Sequence, residues 1–113
     1  MKEIKAYIKK HKLAPVTLAL HKIEGLTGIS VTDVRGFGRG RAKDQPHRVV
    51  DDLIDYVTGV KLEIVCRDDL VDEVIRTIQQ TAHTGLKGDG KIYVSDVEQA
   101  VRISTGERGE GAV

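Results

Sequence analysis

Cys66 is the only cysteine in this chain, so an internal disulfide is excluded and a reducing compartment suits it. Neither a second thiol nor a base stands near it in sequence, and it reads as a packing residue rather than a nucleophile. Tryptophan is absent, and one phenylalanine and three tyrosines are the whole aromatic complement, too few for a base-stacking platform. Charge of one sign is lacking too: the formal balance of +1 gives no overall pull toward nucleic acid or acidic membranes. No apolar run approaches the roughly 20 residues of a membrane-spanning helix. The opening Met1-Lys2-Glu3-Ile4-Lys5 alternates charge instead of leading into a signal-peptide core. The expectation is one soluble, cytoplasmic domain over 1–113, long enough to bury a core without staples.

Alternation marks three strands. Ile4, Ala6 and Ile8 fall on one side of Lys2–Lys9, opposite Glu3, Lys5, Tyr7 and Lys9. Residues 29–34 are β-rich and run into Gly36-Phe37-Gly38. Leu62, Ile64 and Cys66 oppose Lys61, Glu63 and Val65, after a chain reset at Gly59. Leu13, Val16, Ala19, Leu20 and Ile23 repeat at helical spacing, with Pro15 in a first turn and Gly25 and Gly28 as the stop. A second helix carries Val71, Val74, Ile75, Ile78 and Ala82 on one stripe, with Asp68 or Asp69 as its cap. Ile92 and Val94 mark a fourth strand. Val97, Val101 and Ile103 suggest a partly buried segment, and the polar, Gly-rich 105–113 a flexible tail.

Between the second and third strands periodicity fails. Residues 39–55 read as a long loop, a length that points to binding in so small a domain. Its cations Arg39, Arg41, Lys43 and Arg48 suit phosphate, nucleic acid or plain solvent. His47, Asp51 and Asp55 would share a helix face and could hold a metal, although such spacing also marks a wet surface. The order strand, helix, strand, loop, strand, helix, strand implies a ferredoxin-like βαββαβ sandwich. Its second sheet face, with Tyr7, Thr32 and Val65, suits packing between subunits of a closed oligomer.

The densest local chemistry is Thr84-Gly85-Leu86-Lys87-Gly88-Asp89-Gly90-Lys91-Ile92. Three glycines permit a tight turn, and turn amides followed by Lys91 make a concave positive site suited to phosphate. A helix–strand connection terminated by glycine is the plainer alternative.

This stretch, with Gly36-Phe37-Gly38-Arg39, the Lys61–Val65 strand, and Val101-Arg102-Ile103 followed by Thr105-Gly106-Glu107, resembles the PII signal-transduction proteins. The resemblance covers nearly the full length. It implies a homotrimer that binds ATP or ADP between subunits, with Mg²⁺ as a possible companion, and a long loop that engages transporters, enzymes or transcription regulators. It implies no catalysis, no direct nucleic-acid contact, and a membrane role only through a partner transporter. On that resemblance Gly88, Asp89, Gly90 and Lys91 form the phosphate turn, with Arg39 and Arg102 as further cations. Gly36, Phe37 and Gly38 line the loop root, and Ser30, Glu63 and Val65 lie at the adenine and ribose end. Arg41, Lys43 and Arg48 fall to the partner-binding loop.

The departures from the PII pattern concern effectors. Asp52 stands where many members carry a nucleotidylated tyrosine, and Val50 where some carry a phosphorylated serine. Gly40 and Gly59 replace the glutamine and lysine associated with 2-oxoglutarate, and Ser104 replaces a further basic residue. Conventional loop modification and 2-oxoglutarate sensing are therefore expected to be lost. A lost lysine–carboxylate contact costs about 1.5–3 kcal/mol, tenfold or more in affinity. Arg48 keeps the position of the arginine that plugs an ammonium channel in transporter-binding relatives. Outside the resemblance, a slow ATP hydrolase using Asp51, Asp52 and Asp55 and a nucleic-acid-binding ferredoxin-like module are the competing classes.

Overall fold

The computed structural model describes residues 1–36 and 57–113. Its elements are β1 (Lys2–Lys9), α1 (Leu13–His21), β2 (Ser30–Gly36), β3 (Val57–Cys66), α2 (Val71–Ala82) and β4 (Gly90–Asp96). The strands form one antiparallel sheet in the order β2-β3-β1-β4, which is the ferredoxin-like βαββαβ arrangement. The alternating strands occupy the centre of the sheet, where one face has to be apolar.

That face is the core. Ile4, Ala6 and Ile8 of β1 and Leu62, Ile64 and Cys66 of β3 meet Val16 and Leu20 of α1 and Val74, Ile78 and Ala82 of α2. Each fully buried branched side chain contributes about 1.5–3 kcal/mol through apolar area removed from water. The helices lie side by side over the sheet. Burial of the Cys66 thiol pushes its pKa up, in keeping with a packing role.

Four local expectations need correction. α1 ends at His21, ahead of both glycines, and Gly25 instead turns the chain with φ of 89°. Asp68 and Asp69 do not cap α2. They lie in a 3-10 turn, Asp68–Leu70, where Asp68 accepts the Met1 ammonium at 2.8 Å and Asp69 pairs with Arg67. Gly59 does not precede the third strand but lies inside β3, opposite Lys9. In the segment after β4 Val97 is half-buried as expected, but Val101 is half exposed and Ile103 wholly exposed.

Residues 105–113 return along the preceding segment. Val101 bridges Arg108, the Arg102 amide donates to Glu107 O at 2.9 Å, and the Gly109 amide donates to Ala100 O at 3.0 Å. Gly106, at φ 73°, makes the reversal possible. These backbone pairs satisfy the segment locally.

Candidate functional site: a glycine turn braced by Asp89

Strand direction decides which residues can meet. β2 ends, β3 starts, β1 ends and β4 starts at one end of the sheet, through the pairs Gly36↔Val57, Lys9↔Gly59 and Ile8↔Gly90. This near end therefore gathers Gly36, Gly59 and the turn that leads from α2 into β4.

The turn is organised from within by Asp89. Its carboxylate accepts the Thr84 amide at 2.9 Å, the Gly85 amide at 3.4 Å and the Thr84 hydroxyl. Lys9 Nζ lies 3.3 Å from the same carboxylate and donates to Thr84 Oγ1 at 3.2 Å. The Leu86 amide completes the knot by donating to Thr84 Oγ1 at 3.0 Å, and His83 Nδ1 stands 3.4 Å from Asp89. The Thr84 donors come first among the causes that hold the Asp89 carboxyl far below the usual carboxylate range. Asp89 thus faces inward as a brace, and its side chain is spent on shaping the turn.

Gly85, Gly88 and Gly90 all have φ between 80° and 110°. Gly90 is the strictest of them. A Cβ there would come within 1.7 Å of the Tyr7 carbonyl oxygen, so β1 and β4 can approach only if this residue has no side chain. The next residue, Lys91, is exposed beside a cleft of about 310 Å³. Tyr7, His83, Gly90 and Lys91 are at its polar side, with Ile78, Ala82 and Ile92 among its apolar walls. The backbone angles and the ammonium together suit a compact anion.

The other expected residues are spread along the sheet. Pairing places Ser30, Glu63, Lys5 and Tyr93 in one row across the face away from the helices, and Thr32, Lys61, Tyr7 and Lys91 in the next. Lys61 Nζ holds Glu63 at 3.0 Å, lowering the Glu63 pKa and raising its own. Val65 is half-buried on this face. Tyr7 and Tyr93 meet edge to face with ring centres 6.2 Å apart.

Arg102 lies in the segment that follows β4. Its guanidinium donates to Gly111 O at 3.1 Å. The fold thus brings Gly36 to the end that bears Gly88, Gly90 and Lys91, while the recorded bonds of Arg102 stay within the segment that follows β4. Phe37, Gly38, Arg39, Gly40, Arg41, Lys43, Arg48, the His47/Asp51/Asp55 trio, Val50 and Asp52 lie outside the described residues. Among the described residues no His, Cys, Asp and Glu group has metal-binding geometry. Sequence reasoning missed Lys9, whose partner Thr84 is 75 positions away, and His83. Only the antiparallel register could have revealed Lys9; His83 sat next to the motif without a recognisable pattern.

Comparison with known proteins gives one consistent result. The family model for nitrogen regulatory protein P-II matches residues 1–107. The chain is 48% identical to nitrogen regulatory protein P-II of Azospirillum brasilense over 113 residues, covering all of both chains. It is 46% identical to nitrogen regulatory protein P-II 1 of Escherichia coli K12 at the same coverage. Among solved structures, Arabidopsis thaliana PII bound to citrate matches with a TM-score of 0.79 and 41% identity, over 99% of this chain and 91% of that one.

Proposed function

Because this chain belongs to the nitrogen regulatory protein P-II family, a family of non-enzymatic signal transducers, we propose that it is a trimer that reads adenine nucleotide in clefts between its subunits. ATP or ADP phosphates bind the Gly88–Lys91 turn of one protomer, and Arg102 of the neighbouring protomer closes over them. The observation that carries this reading is the turn itself, with bare backbone at Gly90 and the exposed Lys91 beside a cleft at the near end of the sheet. A single chain supports only half of such a site; a rotated copy supplies the other half.

The residues present fit the ligand's chemistry. Gly90 keeps its backbone bare, Lys91 supplies an ammonium against phosphate charge, and Glu63 with Ser30 and Val65 offers polar and apolar contacts to the nucleoside. Mg²⁺, when present, neutralises phosphate oxygens; the Asp89 carboxylate, committed to Thr84 and Lys9, is not its ligand. The nucleotide controls residues 39–55, whose roots Gly36 and Val57 pair at the turn's end of the sheet. Control requires that ATP and ADP bind unequally to two conformations of that segment. A transporter, enzyme or transcription regulator is the downstream target.

The effector chemistry is proposed to have diverged. Asp52 cannot accept nucleotidyl transfer as a tyrosine does. Gly59 offers no ammonium to grip 2-oxoglutarate, and a Cβ there would stand a tight 3.0 Å from the Ile8 carbonyl oxygen. Calorimetry with ATP and ADP, with and without Mg²⁺ and 2-oxoglutarate, tests the reading. It is expected to show saturable nucleotide binding that 2-oxoglutarate leaves unchanged. Absence of any adenine-nucleotide binding refutes the site, and enhancement by 2-oxoglutarate refutes the divergence alone.

A further inference from the structure

α2 stops at Ala82, and the next residue, His83, is already extended, with φ −64° and ψ 129°. It stands at the junction of the helix and the glycine turn. His83 lines the same cleft as Gly90 and Lys91, and its Nδ1 is 3.4 Å from the Asp89 carboxylate. Its side chain is 63% exposed, so the ring exchanges protons freely with solvent. The brace does not depend on it: the Thr84 and Gly85 amides, the Thr84 hydroxyl and Lys9 already serve that carboxylate. His83 is a titratable side chain at the cleft that the shaping of the turn leaves unused.

A carboxylate beside Nδ1 favours the tautomer with the proton there, so the neutral ring keeps its lone pair on Nε2. That lone pair repels a phosphate oxygen, whereas one more proton makes Nε2 a donor and the ring a cation. The surrounding charges are of both signs. Asp89 in the turn is opposed by Lys9 of β1 and Lys91 of β4, and Lys87 lies earlier in the turn. Tyr7 of β1 is the remaining titratable lining residue, and α2 brings only the uncharged Gln79. The carbonyl end of a helix carries partial negative charge, which favours a cation there and opposes an uncovered anion.

We propose that His83 is a second phosphate contact of the cleft beside Lys91 and binds as the imidazolium, so that nucleotide binding draws a proton to it. This rests on the nucleotide reading above and gives that site a pH response, with tighter binding toward acid. The test is calorimetry of the full chain with ATP and with ADP from about pH 6 to about pH 8, in two buffers of different ionisation enthalpy. The parent is compared with His83→Gln, which keeps a polar side chain without charge, and His83→Arg, which is charged at every pH. The nucleotide's own phosphates titrate in this range for all three proteins, so the readout is the ratio between proteins. The parent should bind about tenfold more tightly than His83→Gln at the acid end, the size of one charge-assisted contact, and nearly equally at the alkaline end. It should also take up more protons on binding than His83→Gln, and His83→Arg should keep the acid-end advantage throughout. A histidine that only steadied the turn would change affinity by the same factor at every pH. Equal pH profiles and equal proton uptake in the parent and His83→Gln overturn the proposal and leave the nucleotide site standing. Absence of nucleotide binding at every pH removes that site and this proposal with it.

Discussion

The two faces of the sheet are made from the same strands and behave as different materials. On the helix side, Ile4, Ala6, Leu62 and Ile64 are at most 1% exposed. On the other side, Lys5, Tyr7, Lys61 and Glu63 interleave with them, and none is buried. The first face closes on helices of its own chain. The second offers half-paired charges and two tyrosines to whatever comes next. Substitutions on the first face should therefore act on folding, and those on the second on assembly and ligand.

The sharpest test of that division is at the seam. Gly90→Ala places a methyl group where the Tyr7 carbonyl already lies and strains a positive φ, so β1 and β4 must part. Its thermal midpoint should fall further than that of any other single change considered, or folded protein should fail to accumulate. Leu62→Ala comes next, with a loss of about 2–5 kcal/mol in denaturant unfolding from lost transfer energy and a cavity. A smaller loss there would mean that the helices close over the gap.

On the open side the expectation reverses. Lys91→Ala should leave the unfolding midpoint in place while weakening ATP binding by about tenfold or more, the loss of a charge-assisted contact worth about 1.5–3 kcal/mol. Unchanged affinity by calorimetry removes Lys91 from the nucleotide site. Glu63→Gln breaks an exposed pair with Lys61, and its thermal midpoint should barely move. Any measured effect should fall on nucleotide affinity.

Asp89 links the two regimes, and its effect on stability has a definite sign. Its folded pKa is depressed below the ordinary 3.8, so its contribution is fully present above that value and disappears as pH falls toward the folded pKa. Asp89→Asn should therefore lower stability near pH 7 and flatten the acid limb of the stability–pH curve below about pH 4. An unaltered acid limb would show that the turn holds without its brace.

The helix-facing pattern was legible because period-two alternation in β1 and β3 and period-3.6 spacing in α2 each point to one face without outside help. Legibility failed where a partner lies elsewhere in the chain. Asp68 looked like a helix cap by its position, yet the Met1 ammonium claims it. The backbone bonds that pair residues 100–102 with 106–109 join groups that no sequence pattern links. The internal bonds that Asp89 accepts from Thr84 and Gly85 were likewise not legible in the motif.

By itself, the amino-acid sequence determined the core, the order of the elements and the location of the glycine turn, because burial periodicity and backbone permission are properties of neighbouring residues. Only the tertiary structure decided that Lys9 braces Asp89 and that Gly90 must lack a side chain. Each of these depends on the β1–β4 register, a relation between segments more than 75 residues apart that local pattern does not carry.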